Sequence, residues 1–327
     1  MTRAAYDVVA VGNAIVDVLA QVDYPFIERH GLVPASMTLI DEERAVALTD
    51  LFPNKVIAPG GSAANTMTGV ASFGGRAGYM GKVADDRLGA EFTNAFRADG
   101  VRYETPPRPG QPATARCLIA VTPDGQRAMN TFLGASTLLD VNDVDRALIE
   151  SASVLFLEGY LFDRDEAKAA FVHASEIAKG AGRKVSVTLS DVFCVERHRE
   201  SFRHLVEHHI DILFANENEI INLYQTADLE GALAEARKVC PYVAVTRSEK
   251  GSVIAAGETT HVIKPEPVAR VLDTTGAGDQ YAAGFLFGFA TNRPLPECGR
   301  LGSVAAAEVI SHMGPRPETN LKALAGI

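Results

Sequence analysis

Short apolar runs rich in Val, Ile and Leu alternate along the chain with amphipathic stretches of ordinary helix length. The predicted central strands are residues 7–11, 154–157, 184–189, 210–215 and 243–246. Predicted helices between them include residues 165–179, 193–207 and 229–239. Strands that are apolar on both faces are typical of a parallel sheet covered by helices. The pattern therefore predicts an α/β fold with a doubly wound, mostly parallel sheet, which binds ligands at the carboxyl ends of its strands.

Two segments depart from this alternation and predict a small second unit. Residues 37–40 and 56–58 are strand-like around a helix at 42–51, and residues 114–132 form two strands joined by a Pro-Asp-Gly turn. We expect a small β-rich lid that closes over a ligand, with an edge hairpin of the main sheet as the alternative. The predicted division gives a large nucleotide- and phosphate-binding α/β domain of residues 1–20, 61–112 and 133–327, and a lid of residues 21–60 and 113–132.

The charge of the chain argues against some classes of partner. Its 327 residues carry a formal net charge of -10, with acids spread along the sequence, which disfavours nucleic acid and anionic membranes. The four cysteines lack metal-ligand spacing, and no apolar run is long enough to span a bilayer or to serve as a signal peptide. We expect a cytoplasmic enzyme, monomeric or homodimeric, that binds phosphate groups at a local site.

A glycine-rich turn, Asp-Thr-Thr-Gly-Ala-Gly-Asp from Asp273 to Asp279, leads directly into an apolar helix. Gly276 and Gly278 let the backbone turn sharply, and the unpaired N–H groups of the first helical turn attract an anion. The carboxylate of Asp279 can accept the proton of a hydroxyl held beside a transferable phosphate. The alternative is an ordinary strand-to-helix turn in which Asp279 only stabilises the helix.

A second glycine cluster, Gly60-Gly61-Ser62-Ala-Ala-Asn65, opens a predicted helix at residues 63–73. Its glycines expose backbone amides, although a capping role explains Ser62 equally well. After the first predicted strand, Gly-Asn-Ala-Ile-Val-Asp supplies the amide of Asn13 and the carboxylate of Asp17. An ionised Asp among apolar residues needs partners, and two neighbouring sugar hydroxyls can provide them. A solvent-facing Asp17 is the alternative.

These pieces, in this order, resemble the ribokinase or PfkB-type family of carbohydrate and nucleoside kinases over nearly the whole chain. The turn at 273–279 matches the family signature Asp-Thr-x-Gly-Ala-Gly-Asp, and residues 216–219 match its Asn-x-x-Glu element. The resemblance implies a catalytic base at Asp279, and an anion hole formed by Gly276, Ala277 and Gly278. It further implies substrate contacts from Asn13, Asp17, Gly61, Ser62 and Asn65.

Within the family, the sequence is similar to members that phosphorylate adenosine. The resemblance implies transfer of the γ-phosphoryl group of MgATP to the 5′-hydroxyl of a nucleoside. It also implies that Arg127 is a lid arginine that meets the phosphate, with a solvated turn arginine as the alternative. Met129 and Tyr160 are expected to contact the purine, with packing in the core as the alternative. Glu158 departs from the adenosine pattern, because ribokinases place an acidic residue beside the sugar. A kinase for ribose, fructose or a related sugar is therefore the alternative.

The cofactor contacts are also implied by the resemblance. ATP is expected to lie against Asn216, Glu219, Thr246, Arg247, Gly251 and Thr274. Arg247-Ser248 departs from the family's nucleotide loop, Thr-x-Gly-x-x-Gly, at the position of a glycine. Glu219 is expected to bind Mg²⁺ through water, and Asp273 and Thr275 to bind a monovalent cation, K⁺, beside the anion hole.

Overall fold

The structure is a computed structural model that describes residues 4–34 and 36–327. Its strands are β1 (Tyr6–Val11), β2 (Ile15–Gln21), β3 (Ser36–Leu39), β4 (Val56–Gly60), β5 (Ala77–Met80), β6 (Arg102–Tyr103), β7 (Ala115–Val121), β8 (Arg127–Phe132), β9 (Ala152–Glu158), β10 (Lys184–Thr188), β11 (Ile212–Asn216), β12 (Tyr242–Thr246), β13 (Ser252–Ala256) and β14 (Thr259–Ile263). Its α-helices are α1 (Tyr24–Arg29), α2 (Glu42–Leu51), α3 (Ser62–Ser72), α4 (Arg87–Ala98), α5 (Arg146–Glu150), α6 (Asp165–Gly180), α7 (Val192–His209), α8 (Glu217–Tyr224), α9 (Leu229–Ala236), α10 (Ala277–Ala290), α11 (Leu295–Val309) and α12 (Leu321–Leu324).

A nine-stranded sheet forms the centre of the molecule, in the order β14-β13-β12-β11-β10-β9-β1-β5-β6. Neighbouring strands from β12 to β6 are parallel, whereas β13 and β14 are antiparallel at one edge. The predicted α/β fold with a doubly wound, mostly parallel sheet is confirmed. Along each strand, successive residues pack on opposite faces. In β1, Val8 and Ala10 belong to the core against α3 and α10, and Val9 and Val11 to the core on the other face.

A separate five-stranded sheet has the order β3-β8-β7-β2-β4. The predicted lid segments are therefore not an edge hairpin of the main sheet. One face of this small sheet packs against α2 through residues such as Val18 and Leu118, and the other face carries Ile15, Ile119 and Met129.

The predicted domain boundary after residue 20 differs from this topology, because it falls inside β2. Residues 15–21 pair with β4 and β7 at the centre of the small sheet. The polar Asp17 interrupts the apolar pattern of this strand, so the segment is not among the strands that the sequence predicts. The change between the two sheets instead falls between β1 and β2. Residues 1–3 of the predicted large domain and residue 35 of the predicted lid lie outside the described residues.

The connections place the helix N-termini beside the carboxyl ends of the parallel strands. α7 begins after Asp191, whose carboxylate accepts a hydrogen bond from the backbone N–H of Cys194. α8 begins with a capping box between Asn216 and Glu219. Within residues 4–34 and 36–327, no helix is both long enough and apolar enough to cross a membrane.

Candidate active site

Asp279 lies in the first turn of α10 and accepts hydrogen bonds from the N-terminal turn of α3. Ser62 Oγ donates to Asp279 Oδ1 at 2.6 Å, and Asn65 Nδ2 donates to Asp279 Oδ2 at 3.0 Å. These contacts bring together two glycine-rich motifs that are more than two hundred residues apart in the sequence. Gly61 caps α3 with a φ of 93°, a left-handed conformation that favours glycine.

The N-terminus of α10 presents backbone N–H groups next to this carboxylate. Gly276 is the N-cap residue with a φ of 79°, and a Cβ there would lie 2.7 Å from Pro315. The N–H of Ala277 bonds to the carbonyl of Thr274 at 3.3 Å. In the described part of the chain, the N–H groups of Gly278 and Asp279 have no acceptor. They are therefore available to an anion.

Two opposing influences act on the pKa of Asp279. The helix N-terminus alone predicts a carboxylate of low pKa. Instead, burial in the cleft raises the pKa of Asp279 to about 6, although the hydrogen bonds from Ser62 and Asn65 act in the opposite direction. At neutral pH the group is still mostly ionised, and its basicity is closer to that of an effective general base.

Asp17 projects from β2 into the same cleft. Its side chain is only 9% exposed, and among the described residues no group donates a hydrogen bond to its carboxylate. Burial raises the pKa of Asp17 to about 7; the positive charges of Arg316 and Arg127 lower it, and the charge of Asp279 raises it. A buried carboxylate without donors is suited to accept the hydroxyl groups of a ligand.

Gly60 makes room for this carboxylate, because a Cβ at that position would lie 2.4 Å from Asp17 Oδ1. We expect Gly60→Ala to displace the Asp17 side chain and to raise KM for the alcohol substrate by about tenfold, since overpacking typically costs 1–3 kcal/mol. Gly180→Ala is the matched control, because a Cβ there meets nothing within 4 Å. Equal KM values for the two variants in steady-state kinetics would argue against this steric role.

Glu158 does not face the cleft as predicted for a substrate ligand. It is 1% exposed, and its two carboxylate oxygens accept hydrogen bonds from Asn13 Nδ2 and from the N–H of Ala63, both at 2.8 Å. Burial raises the pKa of Glu158 to about 7, and these two hydrogen bonds oppose the shift. The residue therefore lies beneath the site, where it ties the end of β1 to the N-terminus of α3. The orientation of Asn13 depends on it.

Arg127 extends from β8 to the turn before α10. Its guanidinium does not lie at the anion site formed by the N–H groups of Gly278 and Asp279. Its Nη1 donates to Thr275 Oγ1 at 2.7 Å, and its Nη2 donates to Asp273 Oδ2. The carboxylate of Asp273 also accepts the N–H groups of Thr275 and Gly314. The predicted phosphate-binding arginine thus occupies both side chains that were predicted to bind a monovalent cation.

A cavity of about 550 Å³ lies on the other side of the α10 N-terminus. Its lining includes the predicted nucleotide contacts Thr246, Gly251 and Thr274, together with Ala277 and Gly278. Arg247 is not among the lining residues, because its guanidinium forms an ion pair with Glu217 at 3.1 Å. The cavity lining therefore does not support the predicted contact between Arg247 and the nucleotide. No motif in the sequence marks the apolar residues of this lining, which include Val268, Val271, Ala306, Ala307 and Ile310.

The Asn216–Glu219 element forms a reciprocal helix cap. Glu219 Oε2 accepts the N–H of Asn216 at 2.8 Å, Glu219 Oε1 accepts Asn216 Nδ2 at 2.6 Å, and Asn216 Oδ1 accepts the N–H of Glu219 at 2.9 Å. Burial raises the pKa of Glu219 to about 7, against the hydrogen bonds from Asn216. Each carboxylate oxygen retains a second acceptor direction, so Glu219 fits a metal-bound water.

The two predicted purine contacts come from different sheets. Met129 lies half-buried on β8, in the apolar face of the small sheet. Tyr160 follows β9 and is 37% exposed; its hydroxyl donates to the carbonyl of Ser190 at 3.3 Å.

Arg316 is a cleft residue that no sequence motif indicates. Its Nε donates to Asn65 Oδ1 at 3.3 Å, and its Nη1 donates to Asp99 Oδ2 at 2.8 Å. It lies in the segment between α11 and α12, where the string Gly-Pro-Arg-Pro carries no local signal of a binding site.

The fold and the site together define an ATP-dependent kinase that phosphorylates a hydroxyl group. A family profile described as "pfkB family carbohydrate kinase" matches residues 31–321, and the chain belongs to this family. The chain is similar to the adenosine kinase of Sinorhizobium meliloti, with 47% identity, a TM-score of 0.92 and coverage of 99% of both chains.

Two further comparisons give both nucleoside and sugar kinase relatives. A probable sugar kinase protein from Rhizobium etli CFN 42 has 45% identity and a TM-score of 0.92, with coverage of 99% of this chain and 98% of that one. The adenosine kinase of Saccharomyces cerevisiae is 25% identical over 331 residues, which cover 94% of this chain and 95% of that protein. The predicted family resemblance is confirmed.

Proposed function

We propose that the protein is an adenosine kinase, which transfers the γ-phosphoryl group of ATP to the 5′-hydroxyl of adenosine and yields AMP and ADP. The observation that carries this proposal is the position of Asp279. Its carboxylate shares a cleft with Asp17 and bonds to Ser62 and Asn65, while the first turn of its own helix borders the 550 Å³ cavity. An alcohol on one side and a triphosphate on the other would meet at the free N–H groups of this turn.

In this mechanism Asp17 and Asn65 bind the ribose hydroxyls, and Asn13 and Gly61 border the sugar. The 5′-oxygen of the nucleoside bonds to the γ-phosphorus, and the bond between the γ-phosphorus and the oxygen that leaves with ADP breaks. Asp279 accepts the proton of the 5′-hydroxyl in the same step. No covalent enzyme intermediate forms. Because phosphoryl-transfer transition states are loose, positioning and anion stabilisation by the free N–H groups of Gly278 and Asp279 carry most of the acceleration. Proton transfer contributes roughly 10²–10⁴-fold.

ATP fits the cavity beside α10, with Thr246, Gly251 and Thr274 on its lining and an apolar wall for the base. Asn216 and Glu219 would hold Mg²⁺ through water, since Mg²⁺ usually keeps several waters and takes oxygen ligands. When bound, Mg²⁺ neutralises charge on the phosphates. Met129 and Tyr160 would contact the purine from opposite sheets.

The substrate is tested by phosphorylation assays with adenosine, inosine, ribose and fructose as acceptors. We expect kcat/KM to be highest for adenosine. The similarity to a probable sugar kinase makes a sugar the second candidate. In support of the nucleoside, both carboxylate oxygens of Glu158 already accept hydrogen bonds from the protein, from Asn13 Nδ2 and from the N–H of Ala63. Higher kcat/KM for ribose or fructose than for either nucleoside would overturn the adenosine proposal.

A monovalent cation at Asp273 and Thr275 requires Arg127 to leave these side chains. We expect turnover to be faster in K⁺ than in tetramethylammonium, which is too large for the site. Arg127→Met removes the competing guanidinium, so its K⁺ activation should saturate at a lower K⁺ concentration. Identical rates in the two salts for the unmodified enzyme would remove the cation from the proposal.

The protein is further proposed to act in the cytoplasm as a monomer or homodimer. Its four cysteines are buried and form no disulfide with one another, which is compatible with a reducing compartment.

A further inference from the structure

Arg316 connects the C-terminal segment to the centre of the cleft. Its guanidinium lies 5.6 Å from the ring centroid of Phe96 and forms an ion pair with the half-exposed Asp99 at 2.8 Å. Its Nη2 is buried and has no hydrogen-bond partner in the part of the chain that the structure describes. Burying a guanidinium with an unpaired donor destabilises the fold, so this arrangement calls for a functional explanation.

The contact with Asn65 fixes the orientation of that side chain. A guanidinium can only donate hydrogen bonds and an ionised carboxylate can only accept them. Arg316 donates to Asn65 Oδ1, and Asn65 Nδ2 donates to Asp279 Oδ2. The reverse orientation of the amide would oppose donor to donor and acceptor to acceptor. The Arg316 contact therefore keeps the Asn65 amide donating toward Asp279.

A second link holds the Arg316 segment against α10. Gln280 Nε2 donates to the carbonyl of Asn65 at 2.9 Å and to the carbonyl of Pro315 at 3.0 Å. The residue next to Arg316 is thus joined to the residue that follows Asp279. The guanidinium is therefore held by its own contacts with Asn65 and Asp99, and its backbone is held by the bond from Gln280 to Pro315.

Arg316 also acts on the charge of Asp17. The charged and titratable groups that interact with Asp17 are Arg316 from the C-terminal segment, Arg127 from β8, Asp279 from α10 and Cys117 from β7. Burial raises the pKa of the Cys117 thiol to about 12, so this group stays neutral. Among the charges, Arg316 has the largest effect in lowering the pKa of Asp17, and Arg127 the next largest.

We propose that Arg316 is a positioning residue for the phosphoryl acceptor. It orients the amide of Asn65 and maintains Asp17 as the carboxylate that binds two neighbouring hydroxyl groups. It thereby sets the affinity for a vicinal diol rather than the rate of the chemical step. This inference rests on the proposed function, because it assigns the ribose diol to Asp17 and Asn65.

The test compares Arg316→Met and Arg316→Lys in steady-state kinetics with adenosine between pH 6 and pH 9. We expect Arg316→Met to raise KM at pH 7 by about tenfold or more, the typical effect of losing one charged interaction, and to change kcat much less. Without the guanidinium, the acidic limb of kcat/KM should shift to higher pH, because Asp17 then ionises less readily. Arg316→Lys should keep the limb near its original pH, since it retains the positive charge.

Three comparisons separate a positioning role from a purely structural one. Arg87→Met is the control for loss of an arginine, because Arg87 is exposed and pairs with Glu91 within one helix. Arg316→Met should reduce the discrimination between adenosine and 2′-deoxyadenosine. The effects of Arg316→Met and Asn65→Ala on KM should be non-additive in a double-mutant cycle, since one acts through the other.

Thermal unfolding of each variant identifies those that fold. Arg316→Lys and Asp99→Asn, which loosens the outer end of the guanidinium, keep the test available if Arg316→Met does not fold. If the unmodified enzyme phosphorylates adenosine while the Arg316 variants keep its KM and its pH limb, the positioning role alone is overturned. Failure of the unmodified enzyme to phosphorylate adenosine overturns the proposed function and this inference with it.

Discussion

Replacement of Asp279 by Asn is expected to lower kcat for adenosine by about 10²–10⁴-fold, the usual contribution of a positioned general base. Asparagine has nearly the same shape and can keep both neighbours. Its carbonyl can accept Asn65 Nδ2, and its amide can donate to Ser62 Oγ, because a hydroxyl both donates and accepts. Equilibrium binding of adenosine, measured by calorimetry, should therefore change little. Turnover within a few-fold of the unmodified enzyme would remove Asp279 from the chemistry.

The pH dependence provides an independent check on this role. A base works only when ionised, so kcat is expected to fall as pH decreases through the pKa of about 6 to which burial raises Asp279. Ser62→Ala is the informative companion variant. It removes one of the two hydrogen bonds that lower this pKa, so the acidic limb of kcat should shift to higher pH. A pH limb that persists unchanged in the residual activity of Asp279→Asn would assign it to another group.

How much of this fold the sequence predicts depends on the burial of each strand. β1, β9, β10, β11 and β12 are buried along most of their length and are mainly apolar, with buried polar exceptions such as Asp7 in β1 and Ser186 in β10. β2 is not predictable in the same way, because Asp17 lies in its middle. In the proposed function, that carboxylate binds substrate hydroxyls rather than packing within the sheet. The departure from the strand pattern thus coincides with the residue proposed to bind the substrate.

The site shows a similar division. Local motifs mark Asp279, Ser62 and Asn65, because glycine-rich turns at helix N-termini are visible in the sequence. The roles of Glu158 and Arg127 are not visible, since they depend on which partner each side chain meets after folding. Glu158 meets an orphan helix N–H, and Arg127 meets Asp273. The type of a residue and its position at the end of a strand do not reveal whether its side chain contacts a ligand or another part of the protein.

Asp17→Asn is expected to raise the stability of the unliganded protein while it impairs substrate binding. Burial raises the pKa of Asp17 from 3.8 to about 7, so keeping the group ionised well above pH 7 costs on the order of 4 kcal/mol. A raised carboxyl pKa makes stability fall as pH rises between the unfolded and folded pKa values. The neutral asparagine removes this cost, so the gain in Tm should be large at pH 8.5 and should disappear toward pH 4.

The same substitution should lower kcat/KM for adenosine by about 10²–10³-fold, because two hydrogen bonds from ribose hydroxyls to a charged acceptor are weakened, at 1.5–3 kcal/mol each. Asp50→Asn, on the exposed surface of α2, controls for the loss of one negative charge. Added adenosine should raise the Tm of the unmodified protein and of Asp50→Asn far more than that of Asp17→Asn.

A stability gain without a loss of affinity would mean that the substrate does not use the Asp17 carboxylate. A loss of affinity without a stability gain would mean that groups of the protein itself stabilise the ionised form. We expect both a stability gain and a loss of affinity in Asp17→Asn. The buried charge of Asp17 destabilises the unliganded protein, and it is stabilised only when the hydroxyl groups of the substrate donate hydrogen bonds to it.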